Sequence, residues 1–131
     1  DARLREDLRS SLGAAPDMAR ALTRLSLDRG GPRDLAAISE GLTRARGLAS
    51  FLSAEEAPAE IKKAATALEA RGGGGFSDLI RLLKEALVEA PPLLARDGGF
   101  IAKGFDPGLD AVISLRDESR RVIAGLEADY R

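Results

Sequence analysis

The sequence contains neither cysteine nor histidine. Their absence excludes disulfide bonds, thiol nucleophiles, imidazole general bases and nearly every kind of zinc site. Aromatic residues make up only 4% of the chain, so we expect a core built mainly from leucine, isoleucine, valine and alanine. Hydrophobic residues nevertheless account for 44% of the 131 positions, which is sufficient for one domain with a buried core.

The chain also lacks an excess of positive charge. Its 20 lysines and arginines are balanced by 21 aspartates and glutamates, and the formal net charge is -1. Strong binding to nucleic acid depends on a basic surface that neutralises phosphates, so this composition provides little affinity for DNA or RNA. No apolar run approaches the roughly 20 residues of a membrane span, and no signal peptide opens the chain. We therefore expect a cytoplasmic protein with no membrane partner.

Helical periodicity dominates the first half of the sequence. Leucines recur every four residues from position 4 to position 12, and Asp17 lies where a second helix would need its N-cap. An apolar stripe from Leu35 to Leu52 predicts a long third helix. The stretch from Ser53 to Glu56 has the spacing of a capping box and predicts the start of a fourth.

The second half predicts two more helices. The four glycines at 72–75 predict a break or flexible linker, and the helical pattern that follows stops before the two prolines at 91–92. Residues 93–105 lack a helical period and contain three glycines, which predicts an irregular loop with room for a short extended piece. Asp106-Pro107 then open a last helix whose apolar stripe continues to Tyr130. The pattern predicts an all-α fold, a helical lever or bundle with one long C-terminal helix.

Neither glycine-rich stretch has the composition of a phosphate-binding loop. Such a loop needs glycines followed by lysine and serine or threonine at the start of a helix. The run at 72–75 is followed by Phe76-Ser77, and Gly-Lys-Ser/Thr occurs nowhere. Arg29-Gly30-Gly31 resembles the repeat unit of RNA-binding tails, but it occurs once and lacks neighbouring aromatic residues.

We interpret the stretch around Gly30 as a corner between two helices. Gly30 takes the left-handed conformation that closes the first helix, and Pro32 suits the first position of the next. Asp34 then lies in the first turn, where its charge favours the helix dipole. Arg33 remains available to pair with Asp34 or with a neighbouring element.

Two acidic patterns also have a structural interpretation. The stretch from Val112 to Glu118 mimics the apolar-then-acidic strand end that holds magnesium in nucleotide hydrolases, but it lies within a helical stripe and has no phosphate loop to serve. Glu55 and Glu56 are adjacent rather than convergent, and we interpret them as partners of a helix dipole in a first turn. The sequence therefore supplies no catalytic, cofactor-binding or metal-binding residue, and we predict that the chain is not an enzyme.

Several stretches resemble the MutS family of bacterial DNA mismatch repair proteins. Residues 17–27, DMARALTRLSL, and 31–35, GPRDL, resemble a segment of the family's core, or lever, domain. Residues 91–101, PPLLARDGGFI, with GFD at 104–106 and LD at 109–110, are similar to its PP…RDGG.I..GY…LDE segment. The last residues, 120–131, are similar to the helix that rises toward an inserted clamp.

The resemblance covers nearly the whole chain in the right order, with modest departures. Phe105 stands where the family usually has tyrosine, and Ala19 stands where it often has glutamate. The run of four glycines falls in a variable part of the family. An order of several motifs over the whole chain is far more specific than any single one of them.

The resemblance implies that residues 1–131 are a fragment of a larger protein. Intact members have a mismatch-recognition domain with a Phe-x-Glu wedge, a connector, the lever, a DNA-backbone clamp and an ATPase. Neither the wedge nor the ATPase motifs occur here. The chain would begin partway into the core (lever) domain, end near the clamp insertion, and act as a non-catalytic helical segment that couples the clamp to the ATPase domain.

The resemblance also implies partners and cofactors for the whole protein rather than for this segment. They are mismatched double-stranded DNA, a MutL-type protein, the other MutS domains, a second copy in a homodimer, ATP and magnesium. It further implies a cytoplasmic, nucleoid-associated location in bacteria. The residues themselves leave one alternative open, a free-standing helical protein-interaction module or adaptor. A small enzyme is a more distant alternative because histidine, cysteine and a convergent acid pair are all missing.

Overall fold

The computed structural model describes residues 1–72 and 75–130. Within these ranges the chain forms six α-helices and one 3₁₀ turn at Ala95–Asp97, and it contains no strand longer than an isolated bridge. The helices are α1 (Ala2–Gly13), α2 (Met18–Ser26), α3 (Pro32–Ala54), α4 (Ala59–Gly72), α5 (Gly75–Ala86) and α6 (Pro107–Asp129). The predicted all-α fold is confirmed, with its long C-terminal helix and its largely irregular segment at 93–105.

The long helix α3 is the element around which α1, α2, α4 and α5 pack. Its 23 residues extend for about 35 Å at 1.5 Å per residue, which provides a surface long enough for four neighbours. The buried hydrophobic side chains of this body come from α2, α3, α4 and α5, and they are Ala21, Ala49, Leu52, Ala65 and Ile80. The buried alanines on facing helices allow the helix axes to approach closely, so this small core does without aromatic side chains.

Helix α2 crosses α3 at a glycine. The side chain of Met18 occupies the space that a Cβ atom at Gly41 would fill, and Gly41 is buried. The N-cap predicted for α2 is confirmed, because the Asp17 carboxylate accepts a hydrogen bond of 3.0 Å from the amide of Arg20. The cap fixes the start of α2, and Gly41 fixes its distance from α3.

The capping box predicted at Ser53–Glu56 is wrong. Helix α3 continues through Ala54, and the Ser53 hydroxyl instead donates to a carboxylate oxygen of Glu69 in α4 at 3.0 Å. The apolar stripe of α3 extends to the buried Leu52, so packing keeps these residues in α3. The burial of Leu52 therefore outweighs the side-chain pattern at 53–56 that suits the start of a helix.

The next helix begins after Pro58, whose carbonyl accepts a hydrogen bond of 3.0 Å from the amide of Lys62. Glu55 and Glu56 therefore follow the C-terminal end of α3, and Glu60 is the acidic residue in the first turn of α4. The interpretation of Glu55 and Glu56 as first-turn dipole partners is wrong, because the helix that they were to open starts several residues later.

The break predicted at 72–75 falls partly on residues outside the described ranges. Helix α4 ends at Gly72 and α5 begins at Gly75, while Gly73 and Gly74 lie outside the described residues. Helix α5 then ends at Ala86, several residues before the two prolines that were predicted to stop it. The residue that follows, Leu87, pairs with a later part of the chain.

Leu87 and Ile101 form an antiparallel bridge that closes the irregular segment into a loop. The amide of Val88 donates to the carbonyl of Phe100 at 3.0 Å, and the amide of Ala102 donates to the carbonyl of Ala86 at 2.7 Å. These two hydrogen bonds define the short extended piece that the sequence analysis allowed in the irregular segment. The loop's glycines at 98, 99 and 104 all have positive φ, a backbone conformation that side chains disfavour.

Helix α6 starts at the predicted cap. One oxygen of the Asp106 carboxylate accepts hydrogen bonds from the amides of Gly108 and Leu109 at 2.9 and 3.2 Å. Helix α6 contributes no buried residue, and none of the described helices packs extensively on it. The fold therefore consists of a body of five helices, α1 to α5, in which α3 is central. The long helix α6 is attached to that body through the loop at 87–106.

We expect the two glycines of α3 to respond differently to substitution by alanine. A Cβ at Gly47 meets nothing within 4 Å, so Gly47→Ala raises the free energy of unfolding by about 0.5–1 kcal/mol through helix propensity alone. The same change at Gly41 displaces the Met18 side chain, and we expect that gain to be lost. Urea unfolding followed by circular dichroism measures both variants, and an equal gain at both sites would contradict the packing of α2 on Gly41.

Candidate functional site

The corner between α2 and α3 is held by one carboxylate. An oxygen of Asp34 accepts a hydrogen bond of 2.8 Å from the amide of Gly31 and lies 3.3 Å from the guanidinium Nε of Arg24. The same guanidinium donates through Nη2 to the carbonyl of Arg29 at 2.9 Å. The Asp34 side chain is only 17% exposed, so these contacts replace most of its water. Asp34 thus joins the end of α2, the turn and the start of α3.

The role predicted for Gly30 is wrong. Gly30 does not have a positive φ, and the left-handed residue at the end of α2 is Asp28, with φ 55°. Aspartate is among the few side chains that adopt this conformation readily. Gly30 is instead required by close approach, since a Cβ there would lie 2.9 Å from the Cα atom of Leu25.

The predictions for the rest of the corner are confirmed. Pro32 occupies the first turn of α3 and is fully buried, and Asp34 is its first-turn acid. Arg33 reaches a neighbouring element, because its Nε donates to the carbonyl of Pro91 at 3.1 Å. Sequence reasoning left this partner open, since Pro91 is 58 residues away along the chain.

The corner is poorly suited to a phosphate or a nucleotide. Anions bind at helix N-termini through backbone amides that are free to donate. At the start of α3 the Gly31 amide donates to Asp34, and Pro32 has no amide hydrogen. The negative charge of Asp34 also repels a phosphate group. These residues do not fit ATP, and the geometry supports the interpretation of this turn as a structural corner.

The acidic pattern at 112–118 lies along the exposed part of α6. Asp117 pairs with the neighbouring Arg116 at 3.2 Å, and both side chains are more than half exposed. Across residues 1–72 and 75–130, no three acidic side chains come close enough to hold a metal ion. Nor does any helix in that part of the chain have the length and hydrophobicity to cross a membrane.

An apolar cavity of about 280 Å³ lies between α3, α4 and α5. Leucine and alanine side chains line it together with Phe76 and Ile80, and its polar residues are Arg46, Glu69 and Ser77. One carboxylate, one guanidinium and one hydroxyl supply neither paired carboxylates nor a nucleophile with an imidazole base. The cavity therefore indicates loose packing between helices rather than a reaction site.

Helix α6 exposes a row of apolar side chains, interrupted at Ser119, which we call the α6 stripe. It consists of side chains that are between 53% and 89% exposed, and these are Val112, Leu115, Val122, Ile123, Leu126 and Tyr130. Monomeric proteins rarely leave so many large apolar side chains of one helix in water. The α6 stripe therefore has the character of a surface that another protein segment covers.

Comparison with known proteins identifies the family. Residues 1–129 match the family described as MutS domain III. The chain belongs to this family. The resemblance inferred from the motifs is thereby confirmed over nearly the whole sequence.

The chain is similar to several proteins named DNA mismatch repair protein MutS. It is 56% identical over 128 residues to those of Cereibacter sphaeroides and Paracoccus denitrificans, and 48% identical to that of Rhizobium meliloti. Each match covers 98% of this chain and 14% of the relative. The chain therefore corresponds to one segment of these much longer proteins.

Two stretches that carry the MutS resemblance meet in the structure. The GPRDL stretch supplies Gly31, Arg33 and Asp34 to the corner, and the PPLL stretch supplies Pro91, which Arg33 contacts. Sequence spacing alone gave no reason to bring them together.

The corner predicts a large stability effect for Asp34→Ala. Removing the carboxylate leaves the Gly31 amide and the Nε of Arg24 without their acceptor, so we expect a loss of about 1–2 kcal/mol in the free energy of unfolding. Asp78→Ala is the matched control. Asp78 is also a first-turn acid paired with an arginine, but its pair with Arg81 is about 70% exposed, and such pairs contribute at most about 0.5 kcal/mol.

Urea unfolding of both aspartate variants, followed by circular dichroism, gives the comparison. Equal losses in Asp34→Ala and Asp78→Ala would show that the corner carboxylate contributes no more than an ordinary surface ion pair.

Proposed function

We propose that this chain is a non-catalytic helical segment of a DNA mismatch repair protein that couples a DNA clamp to an ATPase domain. The observation that carries the proposal is the shape of α6, a helix of 23 residues that leaves the body without packing on it. At 1.5 Å per residue it extends for about 35 Å, comparable to the diameter of a small domain. A small rotation at its base therefore gives a large displacement at its far end.

Coupling between distant sites requires an element that moves as a unit between discrete arrangements. Helix α6 has its only proline in the first turn, where proline is compatible with a helix, and its start is capped by Asp106. Its backbone hydrogen bonds are therefore continuous from the base to Tyr130. This continuity suits a lever and is not needed in a simple connecting loop.

The α6 stripe is the surface that we assign to contact with other parts of the longer protein. A single helix without tertiary contacts is only marginally stable in water, so α6 needs a partner along this side. The relatives are long enough to supply one, because the chain covers only 14% of their length. In this proposal the partner is another domain of the same MutS protein.

Contacts with DNA fall mainly to those other domains. The near-neutral charge of this chain gives it little attraction for phosphates. Mismatched double-stranded DNA, a MutL-type protein and a second copy in a homodimer are proposed as partners of the whole protein. The proposed location of that protein is the bacterial cytoplasm, in association with the nucleoid.

ATP and magnesium are proposed as cofactors of the ATPase domain, outside this chain. The corner at Gly31 does not fit a nucleotide, since its amide is already bonded to Asp34. We accordingly assign no step of ATP hydrolysis to any residue of this segment.

The proposal is tested by breaking α6 in the full-length protein. Ser119 lies near the middle of the helix and is exposed, and Ser119→Pro removes a backbone donor and clashes with the preceding turn at a cost of about 3 kcal/mol. We expect the variant to retain its basal rate of ATP hydrolysis and to lose most of the response of that rate to mismatched duplex. The measurement is the ATPase rate with and without mismatched DNA.

Ser119→Ala is the control, because alanine retains the helix while removing the same hydroxyl. Melting curves establish that each variant is folded before its rates are compared. An undiminished mismatch response in Ser119→Pro would contradict the lever role. Parallel loss of both activities in a folded Ser119→Pro protein would also contradict it, because α6 would then support catalysis directly.

A further inference from the structure

The loop at 87–106 is the attachment of α6 to the body, and it is held at two places. The first is the bridge between Leu87 and Ile101 at the end of α5. The second is the α2–α3 corner, which contacts the loop at Pro91 and Leu93. The two places are different in kind, because the first consists of backbone hydrogen bonds and the second also requires specific residues.

The second attachment depends on a glycine and an arginine. At Gly31 the carbonyl oxygen of Leu93 lies where a Cβ atom would be, so the loop backbone rests directly on the corner. Two residues further on, Arg33 donates to the carbonyl of Pro91 at 3.1 Å, and Pro91 itself is buried. We call these four residues the corner clasp: Gly31, Arg33, Pro91 and Leu93.

The far end of the loop is connected to α6 by further hydrogen bonds. The amide of Phe105 donates to the carbonyl of Ala102 at 3.2 Å, which forms a turn directly before the helix. The amide of Gly104 donates to the Asp110 carboxylate in the first turn of α6 at 2.8 Å. The first turns of α6 therefore follow the position of the loop.

We infer that the corner clasp sets the direction of α6 relative to α3. Two neighbouring hydrogen bonds at the end of α5 leave a loop free to swing about the line that joins them. The second attachment, at Pro91 and Leu93, removes that freedom. Gly31 and Arg33 supply this attachment, so they act as positioning residues for α6.

The inference deepens the proposed coupling role, and only its functional consequence rests on that role. If α6 transmits movement, the corner clasp is its fixed end, and α2, α3 and the base of α6 move together. The direction of α6 can nevertheless be measured without any activity. Failure of the clasp and failure of the coupling proposal are thus distinguished by separate experiments.

The test is the orientation of α6 in solution. The chain of 13.8 kDa suits measurement of amide residual dipolar couplings by nuclear magnetic resonance. We expect the amides of α3 and those of residues 107–114, the first two turns of α6, to fit one common alignment tensor. Separate tensors in the unmodified chain would overturn the inference at once.

Two variants open the clasp in different ways. Gly31→Ala pushes the Leu93 carbonyl away, while the extended backbone of Gly31 itself accepts alanine without strain. Arg33→Met retains the aliphatic part of the side chain and removes the donor to Pro91, so it leaves the buried core unchanged and keeps the test valid if Gly31→Ala unfolds. In each variant we expect the couplings at 107–114 to depart from the tensor of α3.

Matched controls lie in the same helix. Gly47→Ala adds a Cβ atom that meets nothing within 4 Å, and Arg44→Met removes a guanidinium whose partner, Glu40, belongs to α3 itself. In both controls we expect the amides of α3 and of residues 107–114 to keep one common tensor. In every variant we expect the couplings of α3 itself to remain unchanged. Preservation of the common tensor in Gly31→Ala or in Arg33→Met would overturn the inference, since the bridge at the end of α5 would then suffice.

Discussion

At the start of α3, the Asp34 carboxylate accepts a hydrogen bond from the amide of Gly31 and pairs with the guanidinium of Arg24. This fixes the turn between α2 and α3, and with it the positions of the two residues that follow the turn. Pro32 is buried under the corner, and Arg33 is directed toward the loop at 91–93. The attachment of α6 therefore depends on a carboxylate that touches no residue of α6.

The parts of the fold that follow from local physics were predictable from the sequence. Helical periodicity, the caps at Asp17 and Asp106 and the irregular segment at 93–105 each depend on residues close together in the chain. The errors arose where distant packing decided the outcome. Ser53 remained in α3 because Leu52 is buried, and the close approach to Leu25 that requires glycine at position 30 leaves no trace in the spacing of residues.

The candidate site shows the same division. The residues of the corner were recognised as structural, yet the contact of Arg33 with Pro91 joins residues 58 apart, and no periodicity indicates such a pairing. Both stretches lie within the residues that match the MutS domain III family. In the structure the corner contacts the loop, and the loop connects to a long helix with exposed apolar side chains.

We expect α3 and α6 to move as one rigid body in the longer protein. Spin labels on cysteines introduced at Ser50 in α3 and Ala128 near the end of α6, both exposed, measure this directly in full-length protein that has no other labelled cysteine. Pulsed electron resonance then gives their separation with ADP, with ATP and with mismatched DNA. If α3 and α6 are one rigid body, the separation is narrow and the same in all three states, and a separation that changes between states would contradict this.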